Sequence, residues 1–189
     1  MPRHRFAIAA PSGLFLLAAA FSGGGSVSAQ DPKIEKLAPY YPTPMSIVQK
    51  MLDLAGMKKG EKMFDLGSGD GRIVIMAAQK YGAMGVGVEF DKDLVKQSSE
   101  RIKKLGLEKR ASIILGDAAA QDYSSADVIT VYLLPNSNEK IRPLLDKQLR
   151  KGTRVVAHDF EIAGWRPDKT QHIDDDGEGR SHTLYLYNR

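Results

Sequence analysis

Asp65-Leu66-Gly67-Ser68-Gly69-Asp70-Gly71-Arg72-Ile73 decides the reading of this chain. An apolar, strand-like run at 63–66 leads into it, and a helical pattern over about 71–81 follows. A glycine-rich turn between a strand and a helix exposes backbone N–H groups and a helix N-terminus to a ligand. Two common nucleotide loops fail on inspection. The dinucleotide pattern G-x-G-x-x-G has Arg72 at its third glycine, and the P-loop pattern has Arg72-Ile73 where Gly-Lys belongs. What stands is D-x-G-x-G-x-G.

Outward from the loop, strand and helix patterns alternate. Downstream, strands are expected at 84–90, 111–115, 127–134 and 153–159, helices at 91–105 and around 138–149, and a closing pair near 169–173 and 183–187. Upstream, Thr43-Pro44 reads as N-cap and first helical position, with Met45, Val48, Met51, Leu52 and Ala55 on one face and Gly56 as the stop. Pro143 conflicts with a helix begun at Asn138 and leaves that boundary open. The alternation predicts an α/β fold: a doubly wound, mostly parallel, seven-stranded Rossmann-like sheet in a single domain, residues 43–189.

Two later strand ends carry acids. Gly85-Val86-Gly87-Val88-Glu89 places a carboxylate 24 residues after Asp65, where it can accept from both hydroxyls of a ribose, and Leu115-Gly116-Asp117-Ala118 closes the third strand. Together with the glycine loop they lie in order along one carboxyl edge of the sheet.

This set closely resembles motif I and the following acidic positions of class I S-adenosylmethionine-dependent methyltransferases. The resemblance implies S-adenosyl-L-methionine as cofactor. Gly67 and Gly69, with Ser68 between them, would lie along its methionine part, Asp65 near its ammonium, Glu89 on the ribose, and Asp117 with the Ala118 amide on the adenine. Tyr40-Tyr41-Pro42-Thr43-Pro44, the loop through Val74, and a late segment through Trp165-Arg166-Pro167 are further similar to protein-lysine methyltransferases of the ATP synthase c-subunit type. That similarity implies a protein lysine as acceptor, and Tyr41 and Thr43 as residues that touch cofactor or frame the lysine channel.

Amine methyltransferases of bases and glutamine commonly carry (D/N)-P-P-(Y/F) after strand four; here Val131-Tyr132-Leu133-Leu134-Pro135-Asn136 stands instead. Tyr132 is the candidate catalytic residue, placed to hold an amine with nearby backbone carbonyls; no general base is named. Charge agrees with the absence of a nucleic-acid partner. Of 27 Lys+Arg and 23 Asp+Glu, two arginines and no acid fall in residues 1–29, leaving 25 − 23 = +2. Methylation of a small molecule, a non-catalytic nucleoside-binding module and, last, a dehydrogenase are the alternatives.

The 189-residue chain is 42% hydrophobic and 26% charged, which excludes a disordered chain, and it has no cysteine, which excludes disulfides, thiolate metal sites and cysteine nucleophiles. Arg3 and Arg5, an apolar stretch from Phe6 to Phe21 and Val27-Ser28-Ala29 read as a secretory signal over 1–29, with a retained anchor as the alternative and a linker at 30–42. The body is therefore expected to be exported, periplasmic or membrane-associated, touching the membrane only through that segment.

Three further features are given structural roles. His158-Asp159 is expected as a strand-end pair pointing to opposite faces. Asp174-Asp175-Asp176-Gly177-Glu178-Gly179 fails as a calcium loop, since alignment on Gly177 puts His172 and Thr183 where acids belong, and reads as a solvated hairpin tip. Trp165 is assigned to packing or to the substrate mouth. No metal is expected.

Overall fold

A computed structural model describes residues 40–189. The signal or anchor over 1–29 and residues 30–39 of the linker lie outside the described residues. Among those described, no helix is long and apolar enough to cross a membrane.

Five parallel strands, β1 (Lys62–Leu66), β2 (Met84–Glu89), β3 (Ala111–Leu115), β4 (Val128–Val131) and β5 (Arg154–His158), are extended by an antiparallel pair, β6 (Lys169–Ile173) and β7 (His182–Asn188). The order across the sheet is β3-β2-β1-β4-β5-β7-β6. From β1 the chain winds outward first through β2 and β3, then through β4 and β5. The carboxyl ends of β1 and β4 thus flank a topological switch point, where open α/β sheets bind ligands.

Alternation of side chains gives the sheet two apolar faces. Phe64, Leu66, Ile129, Val131, Val155 and Ala157 bury one face with Ile141 and Leu145 of α4 (Pro135–Gln148). Met63, Val128, Val156 and Leu184 bury the other with Ile47, Met51 and Leu52 of α1 (Met45–Leu54) and Ile73 and Ala77 of α2 (Arg72–Tyr81). At one edge, Ile102 of α3 (Lys92–Lys104) packs on Val74, Ala78 and Ala111. The seven-stranded doubly wound fold stands as expected.

Three local expectations are corrected. The fourth helix begins at Pro135, three residues early, and runs through Pro143. Leu134 is extended, as residues before proline prefer to be, its carbonyl accepts from the Ser137 and Asn138 amides at 2.9 and 3.0 Å, and burial of Ile141 and Leu145 outweighs the interior proline. Consequently β4 stops at Val131, and Tyr132 lies in the turn beyond it. Thr43 is not the N-cap of α1: Pro44 holds that position without a side-chain cap, and the Thr43 hydroxyl faces His158 Nδ1 at 3.4 Å.

Candidate active site

The nine positions singled out from sequence, Thr43, Asp65, Gly67, Ser68, Gly69, Glu89, Asp117, Ala118 and Tyr132, line a single cavity at the carboxyl ends of β1, β2 and β4. The glycine loop forms its floor. Gly67, Gly69 and Gly71 have φ of 77°, 54° and 73°, left-handed values that favour glycine. The Gly67 and Ser68 amides both donate to the Val88 carbonyl, at 2.9 and 3.0 Å, which folds the loop against β2. Gly87 permits that approach, since a Cβ there would sit 2.6 Å from Ser68 Cβ.

The carboxylates are held differently. Asp65 and Thr130 are register partners on β1 and β4, and the Thr130 hydroxyl donates to Asp65 Oδ1 at 2.7 Å. Burial, with Glu89 and Asp70 nearby, pushes the Asp65 carboxyl up to about 7 against the opposing Thr130 bond. Glu89 accepts from the Gly69 amide at 2.7 Å through Oε2 and from the Phe90 and Asp91 amides, both at 2.9 Å, through Oε1. It therefore braces the glycine loop while bordering the cavity. Asp117 Oδ1 accepts from the Ala119 amide at 2.8 Å and caps the short turn Ala118–Ala120.

Asp70 and Arg72 were not singled out by sequence reasoning, although a loop Asp-x-Arg pair was there to be read. Arg72 grips Asp70 with Nε and Nη2, both at 2.9 Å, and its Nη1 donates to the Thr43 carbonyl at 2.8 Å. Burial favours the neutral form of Asp70, but the guanidinium overcomes it and holds the carboxyl below its usual range. This pair ties the loop to the segment before α1, where the Tyr40 ring covers Gly69: a Cβ on Gly69 would lie 2.6 Å from Tyr40 Cε2.

At the opposite end of the cavity, the Tyr132 ring stacks on His158 with centroids 3.9 Å apart, and its hydroxyl lies 3.4 Å from Asp159 Oδ2. Burial, then Asp159, pushes the phenol up to about 12. The expectation that His158 and Asp159 diverge is wrong. Asp159 leaves β5 with φ 58°, the one positive value of a non-glycine among the described residues, and this turn brings its Oδ2 to 3.3 Å from His158 Nε2. Nor is the acidic hairpin tip wholly solvated: Asp174 is exposed, but Asp176 folds inward onto His182 Nε2 at 3.2 Å. Trp165 is a packing residue, buried against Tyr187 with Nε1 donating to Asp146 at 2.8 Å.

The residues fit a cationic nucleoside ligand. Ser68 Oγ is buried at the cavity without a hydrogen-bond partner among the described residues, and Asp65 and Glu89 make the interior acidic. With this topology, the glycine loop and the acids at successive strand ends define a class I S-adenosylmethionine-dependent methyltransferase.

The family described as ANTKMT methyltransferase domain matches residues 65–169, and the chain belongs to it. It is 43% identical over 150 residues to a protein-lysine N-methyltransferase of Saccharolobus islandicus, covering 79% of this chain and 92% of that one. Similarity to the Mus musculus lysine N-methyltransferase of the ATP synthase c-subunit is 30% over 157 residues, 82% of this chain and 60% of the mouse protein. Among solved structures, an RNA methyltransferase from Salinibacter ruber in complex with S-adenosyl-L-homocysteine shares 44% identity and superposes with a TM-score of 0.72, over 78% of this chain and 93% of that one.

Proposed function

We propose that the protein transfers a methyl group from S-adenosyl-L-methionine to the side-chain amine of a protein lysine. The observation that carries this reading is the single cavity that holds the glycine loop and three strand-end acids at one end and Tyr132, Thr43 and Tyr41 at the other. In the cofactor half, Gly67, Ser68 and Gly69 face the amino-acid portion, Asp65 takes its ammonium, Glu89 the ribose hydroxyls, and Asp117 with Ala118 the adenine. When bound, S-adenosylmethionine supplies an electrophilic methyl on a sulfonium sulfur.

The chain's own contribution is to position the amine in line, exclude water and deliver the nitrogen neutral. The Tyr40–Thr43 segment, pinned by Arg72, roofs the cavity. Leu133 and Tyr132 give the acceptor end an apolar wall, which favours the uncharged amine. A lysine acceptor is supported by the named activities of the Saccharolobus and mouse relatives. Against a base acceptor stand the lack of a (D/N)-P-P-(Y/F) segment and the near-neutral body. The N-terminal segment adds export to this reading, so that the acceptor is a protein of the cell envelope; N-terminal sequencing of the cell-fractionated protein checks that step.

The acceptor class is tested with tritiated S-adenosylmethionine offered to two pools, nucleic-acid-free cell protein and total RNA. Counts in lysines of the protein pool are expected. Counts confined to RNA would refute the reading.

A further inference from the structure

Behind Tyr132 lies a buried polar network that cofactor binding does not use. His158 Nε2 is 2.9 Å from His182 Nδ1; Asp159 Oδ2 is 3.3 Å from the first and 3.1 Å from the second. His182 Nε2 is 3.2 Å from Asp176 Oδ2, and Tyr132 connects the group to the cavity through Asp159. Pairing of β5 with β7 does not need these groups, because the ladder already runs from Arg154 to His158. Apolar residues of similar size would commonly hold such a junction as well. The left-handed backbone of Asp159 is a further cost, of the kind found at functional positions.

Proton accounting assigns the roles. A carboxylate only accepts, so His182 Nε2 carries a hydrogen toward Asp176. In the neutral ring Nδ1 is then a bare lone pair, facing His158 Nε2–H. A further proton fits at His182 Nδ1, where the imidazolium donates to Asp159 on one side and Asp176 on the other. His158 is unsuited to hold it: burial drives its pKa well below the ordinary value, and neighbouring His182 works in the same direction against the pull of Asp159. The remaining charged group facing the network, Arg180, donates to Asp176 through Nε at 3.0 Å and to the Tyr41 hydroxyl at 2.7 Å, keeping Asp176 an acceptor.

We infer that Tyr132, Asp159 and His182 form the path that removes a proton from the acceptor lysine, with His182 as its destination and Asp176 as the positioning residue for His182. The inference rests on the lysine reading above. An N–H bond of the ammonium breaks toward the Tyr132 oxygen while the phenol's own hydrogen passes to Asp159 Oδ2 and on to His182 Nδ1. The electron pair stays on the lysine nitrogen as the nucleophile's lone pair. The high phenol pKa suits a relay that stays protonated between turnovers. Asp159, whose side chain is 24% exposed, then returns the proton to solvent. The need is real: with a lysine pKa near 10.4, about one acceptor in 2,500 is neutral at pH 7.

The test measures methyl transfer to poly-L-lysine and to nucleic-acid-free cell protein between pH 6 and 10, for wild type, Asp159→Asn, His182→Gln and Tyr132→Phe. Affinity for S-adenosylhomocysteine and the ¹⁵N shifts of the two histidine rings are recorded on the same samples. The variants are expected to lose about 100-fold in kcat/KM at pH 7 and to regain it tenfold per pH unit as the lysine deprotonates unaided. Product affinity should stay within about twofold of wild type, and His182, not His158, should take up the proton. Wild-type pH dependence in the variants, an equal loss at every pH, protonation of His158 instead, or a stoichiometric metal ion in the purified protein each overturns the inference. A wild-type enzyme that labels RNA and no lysine overturns the lysine reading and this inference with it, a result distinct from any variant effect.

Discussion

Replacing Asp65 by Asn isolates the electrostatic cost of the cofactor pocket. Its carboxyl is buried, beside Glu89 and Asp70, and is pushed from 3.8 to about 7. The folded protein thus holds a proton that the unfolded chain gives up once pH exceeds about 4. Below that value the two states are equally protonated at this site. As pH rises toward 7, unfolding releases the proton and the fold loses about 1.4 kcal/mol per unit, or about 4 kcal/mol in all, with no further loss above pH 7. Asparagine has no such proton and keeps an oxygen for the Thr130 hydroxyl, which donates at 2.7 Å. Denaturant unfolding of both proteins without ligand should therefore show a difference that grows in the variant's favour between pH 4 and 7 and levels off near 4 kcal/mol. In a domain of this size that is a rise in Tm of roughly 8–16 °C at pH 8. The same variant should bind S-adenosylmethionine more weakly, because the ligand's ammonium loses its counter-charge. A stability difference independent of pH would refute the argument.

Three other substitutions follow from packing. Gly87→Ala places a methyl 2.6 Å from both Ser68 Cβ and Ile113 Cδ1, and should cost about 1–3 kcal/mol in chemical denaturation while displacing the glycine loop and weakening product binding. Pro143→Ala, at an exposed position inside α4, restores a backbone donor and should stabilise by about 1–3 kcal/mol, read as a higher Tm with unchanged activity. Trp165→Phe removes the 2.8 Å bond to Asp146 and the stacking of Arg189 at 4.0 Å, and should cost about 1–3 kcal/mol in the same assay.

The cofactor half of the site was legible because each part is local. D-x-G-x-G-x-G writes its own turn, and acids that close β2 and β3 fall on the same sheet edge whatever the helices between them do. The acceptor half was not, because it depends on long-range register. His182 reaches His158 only because β7 returns antiparallel beside β5, and Asp159 reaches both only because one residue takes a left-handed φ. Neither fact has a local signature: aspartate tolerates that conformation without requiring it. The start of α4 was legible in Leu134-Pro135 and was obscured by Pro143, whose local penalty is outweighed by burial of Ile141 and Leu145. Thr43 looked like a cap from its type alone, yet its hydroxyl serves the histidine network instead.

The account turns on the acids at successive strand ends holding one cofactor, and titration calorimetry with S-adenosylhomocysteine tests it most directly. Glu89→Gln keeps the side chain's size but exchanges a charged acceptor, which braces Gly69 at 2.7 Å, for a neutral amide. Loss of two charge-assisted bonds to the ribose corresponds to about 3 kcal/mol, or roughly 100-fold in affinity. One site of micromolar affinity in wild type, weakened by that factor in a variant with unchanged unfolding, is the predicted result. Equal affinity in the two proteins, or no binding by the folded wild type, would contradict the account.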